Sequence, residues 1–138
     1  MANENFSEKV SVNINTSTLS SIDLLIDNGY YSNRSDFINQ ALREGLQKHQ
    51  NTLDRIIDQK TESNETNPNQ WFLGVYGLEK QEIEAAKSRG EEMEIKGYGV
   101  LVIDDAIDEE ALFAVVRAIK VKGKTVCKES IKKHYGLK

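Results

Sequence analysis

The chain has 138 residues, 38% hydrophobic and 29% charged, which fits one ordinary soluble domain or two small ones. No apolar run reaches membrane-spanning length and no basic start leads into a signal-like core, so the sequence reads as cytoplasmic, with no membrane partner. A single cysteine, Cys127, excludes an internal disulfide framework, and the net charge of −4 gives no global sign of nucleic acid.

Charge is uneven along the chain. Residues 120 to 138 carry Lys120, Lys122, Lys124, Lys128, Lys132, Lys133 and Lys138 against Glu129. Residues 1 to 50 carry Lys9, Arg34, Arg43 and Lys48 against Glu4, Glu8, Asp23, Asp27, Asp36 and Glu44. The N-terminal third is therefore slightly acidic.

"EKVSVNIN" (8–15) alternates Val10, Val12 and Ile14 with Lys9, Ser11 and Asn13, a period of two that predicts a strand. Asn15, Thr16 and Ser17 are N-cap types. Leu19, Ile22, Leu25 and Ile26 then recur at helical spacing, and Gly29 fits a helix stop. A second helix follows, with Ser32 as its expected N-cap. Phe37, Ile38, Ala41, Leu42 and Leu46 form one apolar stripe, with Asn39, Gln40, Arg43 and Glu44 on the other side. Leu42, Leu46, His49, Leu53 and Ile56 keep a heptad-like spacing that would carry this helix on towards residue 60. The stretch 51–70 is expected to serve as a linker, clearest in the polar run "TESNETNPNQ" (61–70), which carries Pro68.

Residues 71–138 predict a small α/β domain. "WFLGVYG" (71–77) reads as a buried strand and 78–90 as an amphipathic helix ended by Gly90. Residues 91–104 read as one strand with a glycine bulge, or as a hairpin turning at Lys96-Gly97. A helix over 108–121, a short strand over 124–128 and a terminal helical turn over 129–136 complete the pattern, which implies β-α-β units. The expected fold class is thus α+β, with a strand–helix–helix unit in residues 1–50 followed by this α/β domain.

The first unit is too small to hold a core alone, and its strand has no partner within it. A homodimer repairs both defects. Two copies of the strand pair antiparallel about a twofold axis, and Val10, Val12 and Ile14 pack on helices of both chains. The polar faces then form one outward ribbon. A two-stranded ribbon fits the major groove of B-DNA, where Lys9, Ser11 and Asn13 are the right residue types to meet base edges. The same alternation also suits a solvated edge strand.

In its ordered features the N-terminal part resembles the ribbon–helix–helix family of prokaryotic transcription regulators. The resemblance runs from residue 8 to about 48. It rests on "KVSVNIN", on Gly29 in "DNGYYSNRSDFI" and on "NQALREGL", the last two features being closest to CopG-type members. It implies an intertwined dimer, base reading by Lys9, Ser11 and Asn13, and a phosphate anchor at the start of the second helix, at Ser32, Asn33, Arg34 and Ser35. A helix N-terminus with Arg34 beside it is also an anion site on physical grounds. The expected function is a sequence-specific DNA-binding regulator, a repressor, with double-stranded DNA and a second copy of itself as partners. The α/β domain would join dimers into a larger oligomer or take a small effector. Two alternatives use the same DNA-binding unit: the antitoxin of a toxin–antitoxin pair, with a protein toxin as partner, and a ligand- or metal-responsive regulator.

Other chemistry is weaker. Asp104, Asp105, Asp108, Glu109 and Glu110 could hold a hard cation but fit a capped helix start better. His49, His134 and Cys127 are too scattered for a metal set, and Cys127 reads as a small buried strand residue. With two histidines and no phosphate-cradling glycine loop, the sequence predicts no enzyme, no cofactor and no metal.

Overall fold

The structure, a computed structural model, describes residues 6–66 and 69–137. These form six helices and three strands, and the chain divides into two compact units, 1–54 and 55–138.

In the first unit, helix α1 spans Thr16–Asp27. Asn15 caps it: its Oδ1 accepts from the Ser17 amide at 2.8 Å. The helix ends at Gly29 as expected. The Tyr30 amide donates to the Leu25 carbonyl and the Gly29 amide to that of Ile26, each at 3.0 Å, which satisfies two of the last carbonyls. This closure needs Gly29 at φ +84°, where a Cβ would cost about 1–2 kcal/mol.

Helix α2 spans Arg34–Gln47, and its cap differs from expectation by one residue. Asn33, not Ser32, is the N-cap. Its extended backbone turns Oδ1 onto the Asp36 amide at 2.8 Å, while the Asp36 carboxylate reaches back to the Ser32 amide at 3.0 Å. The two bonds form a variant of the capping box over Asn33-x-x-Asp36, in which the return bond goes to the amide before the N-cap. The helix also stops before residue 60. Lys48 and His49 form a turn in which the His49 amide bonds three residues back, to Leu46, and a separate helix α3 covers Gln50–Thr66. The heptad-like spacing therefore crosses a break. Residues 61–66, expected within the polar linker, are the last turns of α3, because nothing between 50 and 66 breaks a helix. Pro68 lies outside the described residues.

Residues 8–15, read as a strand, form none in the single chain. A strand exists by its ladder, and nothing in one copy offers this segment one.

The second unit is built on a fully parallel sheet in the order β1–β2–β3, with β1 Gln70–Leu78, β2 Met93–Ile103 and β3 Val116–Val126. Helices α4 (Lys80–Ser88) and α5 (Glu109–Val115) cross over between the strands, and α6 (Glu129–Tyr135) ends the unit. Ile83 and Ala86 of α4, Leu112 and Val115 of α5 and Ile131 of α6 close over Phe72, Leu78, Ile95, Leu101 and Ile119 of the sheet. Of the two readings left open for residues 91–104, the single strand holds and the hairpin does not, and two other expectations change. Gly97 lacks the positive φ that a tight turn at Lys96-Gly97 would need, and it lies directly under the Phe72 ring. The helix expected over 108–121 stops at Val115, and β3 starts at the next residue, since the β-branched run beyond it satisfies the strand period as well. Cys127 sits half-buried just past the end of β3 and not within a strand.

A row of glycines crosses the middle of the sheet, Gly74 beside Gly99 beside Gly123. All three have positive φ. A Cβ on Gly99 would stand 2.0 Å from the Gly74 carbonyl oxygen, and one on Gly123 2.0 Å from that of Gly99. At Gly99 and Gly123 the neighbouring strand approaches too closely for any side chain.

The helices cover one sheet face. The other presents rows that step across the strands: Trp71, Lys96 and Lys120; then Leu73, Tyr98 and Lys122; then Val75, Val100 and Lys124. Strand β1, expected to be a buried strand, is thus half open, with Leu73 and Val75 exposed.

Candidate nucleic-acid interface

In one copy, both faces of the 8–15 pattern are exposed. Lys9, Ser11 and Asn13 face solvent, but so do Val10 at 74%, Val12 at 73% and Ile14 at 38%. Leu24, Ile38, Leu42 and Leu46 are exposed too. In the whole first unit Ile22 is the one described hydrophobic side chain that is buried. A unit with so many bare apolar side chains at strand and helix periodicity has its core completed by something outside itself.

The start of α2 brings Ser32, Asn33, Arg34 and Ser35 together at one exposed corner. Their roles are distinct. Arg34 is committed to a two-pronged pair with Asp23 of α1, Nε to Oδ1 at 2.9 Å and Nη2 to Oδ2 at 2.8 Å. That pairing holds the Asp23 carboxyl below its ordinary range. Asp36 is also held low, first by the Ser32 amide and then by Gln40. The amides of Ser32 and Asp36 are taken by the capping box. Those of Arg34 and Ser35, the first two of the helix, have no acceptor among the described residues. An anion arriving here meets these two amides and the Ser35 hydroxyl, with the Asp36 carboxylate held at the same corner by the Ser32 amide.

The sequence reading missed Asp23 and Asp36. The signal for Asp36 was present in Asn33-x-x-Asp36, which has capping-box spacing. No local signal marks Asp23, which lies eleven residues before its partner.

Elsewhere, the acidic cluster works as a helix start. Asp108 Oδ2 accepts from the Ala111 amide at 3.2 Å, and Glu109 and Glu110 occupy the first turn of α5. His134 stacks flat on Phe113, ring centroids 3.7 Å apart. Among the described residues no helix is long and apolar enough to cross a membrane.

The model of the Ribbon-Helix-Helix transcriptional regulator family matches residues 5–132. No curated protein matches the chain, and no solved structure does. The family match begins before the 8–15 segment and runs on through the parallel sheet into α6, so it takes in both units. With most of its length matched, the chain belongs to the ribbon–helix–helix family of transcriptional regulators.

Proposed function

We propose that the protein is a homodimeric, sequence-specific DNA-binding repressor that reads the major groove with a two-stranded ribbon made from residues 8–15 of both copies. The observation that carries this is the bare apolar set of the first unit. Val10, Val12 and Ile14 stand exposed at strand period beside exposed Leu24, Ile38, Leu42 and Leu46, and a second copy supplies the ladder and the core together. Pairing the two segments turns Lys9, Ser11 and Asn13 to the opposite face, six side chains in all, suited to guanine, to mixed base edges and to adenine respectively.

The phosphate anchor follows from the α2 corner. Its donors are the Arg34 and Ser35 amides and the Ser35 hydroxyl, with Ser32 and Asn33 shaping the turn and Arg34 bracing α1 against α2. The α/β unit carries its own core, which favours a regulator with a folded C-terminal domain over an antitoxin whose tail folds on its toxin. The test is to select, from random DNA, the fragments that purified protein retains. A short inverted repeat is the expected result. Retention without sequence preference would overturn the reading.

A further inference from the structure

The open face of the sheet carries a groove of about 490 Å³, lined by Lys60 of α3, by Trp71 of β1, by Lys96 and Tyr98 of β2 and by Lys120 and Lys122 of β3. Its volume lies in the range of small-molecule sites, roughly 300–1,000 Å³. All-parallel sheets are nearly always covered on both faces, so a bare one marks a surface with an occupant.

Two features of the wall specify that occupant. One is positive charge held in place. Glu94 is 14% exposed, and its Oε2 accepts from Arg117 Nη2 at 3.0 Å. Its Oε1 sits 3.2 Å from Lys120 Nζ and 3.5 Å from Lys96 Nζ. A single carboxylate thus gathers three cations and leaves their sum strongly positive. Lys122 and Lys124 add to it along the same face. The other feature is a pair of flat rings. Trp71 and Tyr98 meet edge to face with centroids 6.4 Å apart, and Tyr98 is 51% exposed.

We propose that this groove binds a free nucleotide, its phosphates held by Lys96, Lys120 and Lys122 and its base laid on Tyr98 beside Trp71. Lysine ammonium groups suit phosphate oxygens as movable point charges, and an aromatic face accepts any base. A second copy of the same face is a poorer occupant, because stacking would set lysine column against lysine column. Duplex DNA is poorer too, because its paired bases offer no free ring for Tyr98. In the regulator proposed above, such a ligand is an effector. The binding itself does not depend on that reading, since no residue of the first unit takes part.

Trp71 is the only tryptophan in the sequence, so its emission reports directly on the groove. The full chain is titrated with ATP, adenosine, inorganic tripolyphosphate and a short single-stranded oligothymidylate, by emission and by calorimetry. Saturable ATP binding is expected, with adenosine and tripolyphosphate each weaker by about tenfold or more, as for losing a charge-assisted cluster or a stacked base. Lys122→Glu should weaken ATP about tenfold or more with an unchanged circular dichroism spectrum. Tyr98→Ala should weaken ATP but leave tripolyphosphate as it was. Four results overturn the proposal: no saturable change with ATP; tripolyphosphate equal to ATP; the oligonucleotide far tighter than ATP, which gives the groove to single strands; or self-association that Tyr98→Ala abolishes in a protein blind to ATP. These outcomes are independent of operator binding, so the proposal and the DNA reading fail separately.

Discussion

Val12→Asp tests the dimer at its centre. In the single chain Val12 is 73% exposed, so nearly all of its apolar surface remains to be buried. Full burial of a valine is worth about 1.5–3 kcal/mol, so covering this fraction contributes about 1–2 kcal/mol per copy, or about 2–4 kcal/mol per dimer. In the proposed dimer, aspartate forfeits that and buries one carboxylate from each copy. An unpaired buried polar or charged group adds several kcal/mol more. At about 1.4 kcal/mol per factor of ten, a total near 6 kcal/mol weakens dimerisation by about four orders of magnitude. Because Ile22 is the one described hydrophobic side chain buried in this unit without a partner, the monomer should not keep α1 and α2 folded. Sedimentation equilibrium should therefore show a monomer. Circular dichroism should show lost helix, while the near-ultraviolet signal of Trp71 in the other unit persists. Val12→Ala should fall between. A Val12→Asp protein that sediments as a dimer and keeps its helix content would refute the reasoning, as would a wild-type monomer with α1 and α2 fully folded.

Asn13→Ala should relax discrimination at one base position by about 1–3 kcal/mol and leave the dimer intact, as measured by competition among single-base operator variants. Glu94 is held at about 2 by Arg117 first and then by Lys120, against an ordinary 4.5. A lowered carboxyl stabilises the fold above its unfolded value and loses that contribution as pH falls from about 4.5 towards about 2. Acid titration of the α/β unit, followed by Trp71 emission, should show this loss, and Glu94→Gln should remove the pH dependence while lowering stability at neutral pH. Gly99→Ala should unfold the α/β unit or cost it about 3 kcal/mol or more, from strain at φ +125° plus a clash with the Gly74 carbonyl. Gly77→Ala, with open space around it and no positive φ, is the control and should change the melting temperature little.

What could be seen in the sequence was local chemistry. Asn15, Gly29 and Asp108 take the cap positions that their residue types and neighbours specify, and the period-two pattern of 8–15 separates apolar from polar side chains without any partner in view. Three things needed partners far along the chain. The ladder for 8–15 has none within one copy. The end of α5 was ambiguous because Ala111, Leu112 and Val115 fit a helix while Val116, Ile119 and Val121 fit a strand, and only pairing with β2 decides where one becomes the other. Nothing in "EEMEIK" sets Glu94 apart from its neighbouring acids, because the cations that pull its carboxyl down come from Arg117 and Lys120 on the neighbouring strand as well as from Lys96. The same limit hid the groove. Lys120, Lys122 and Lys124 stand in the sequence only as part of the lysine-rich stretch 120–138, and β3 sets them at every second position on one face.

On the proposed reading, charge divides the work between the two units. DNA binders draw much of their affinity from phosphate neutralisation, and the N-terminal unit has little to offer it. Lys9, Arg34, Arg43 and Lys48 face six carboxylates, Arg34 is paired to Asp23, and Asp36 stands at the proposed phosphate anchor. On the proposed reading, Lys9, Ser11 and Asn13 supply selectivity on a weak electrostatic base, so that one dimer on one site binds modestly. Occupancy of DNA by such a protein is set by whatever adds to that modest term. Linking dimers multiplies affinity by about 10²–10⁴ without new DNA contacts. A ligand in the lysine groove changes occupancy only if it favours one assembly or conformation over another. A strongly basic ribbon unit would hold DNA regardless of either. On that reading, the acidic balance of residues 1–50, which counts against tight binding by one dimer, would let the α/β unit govern it.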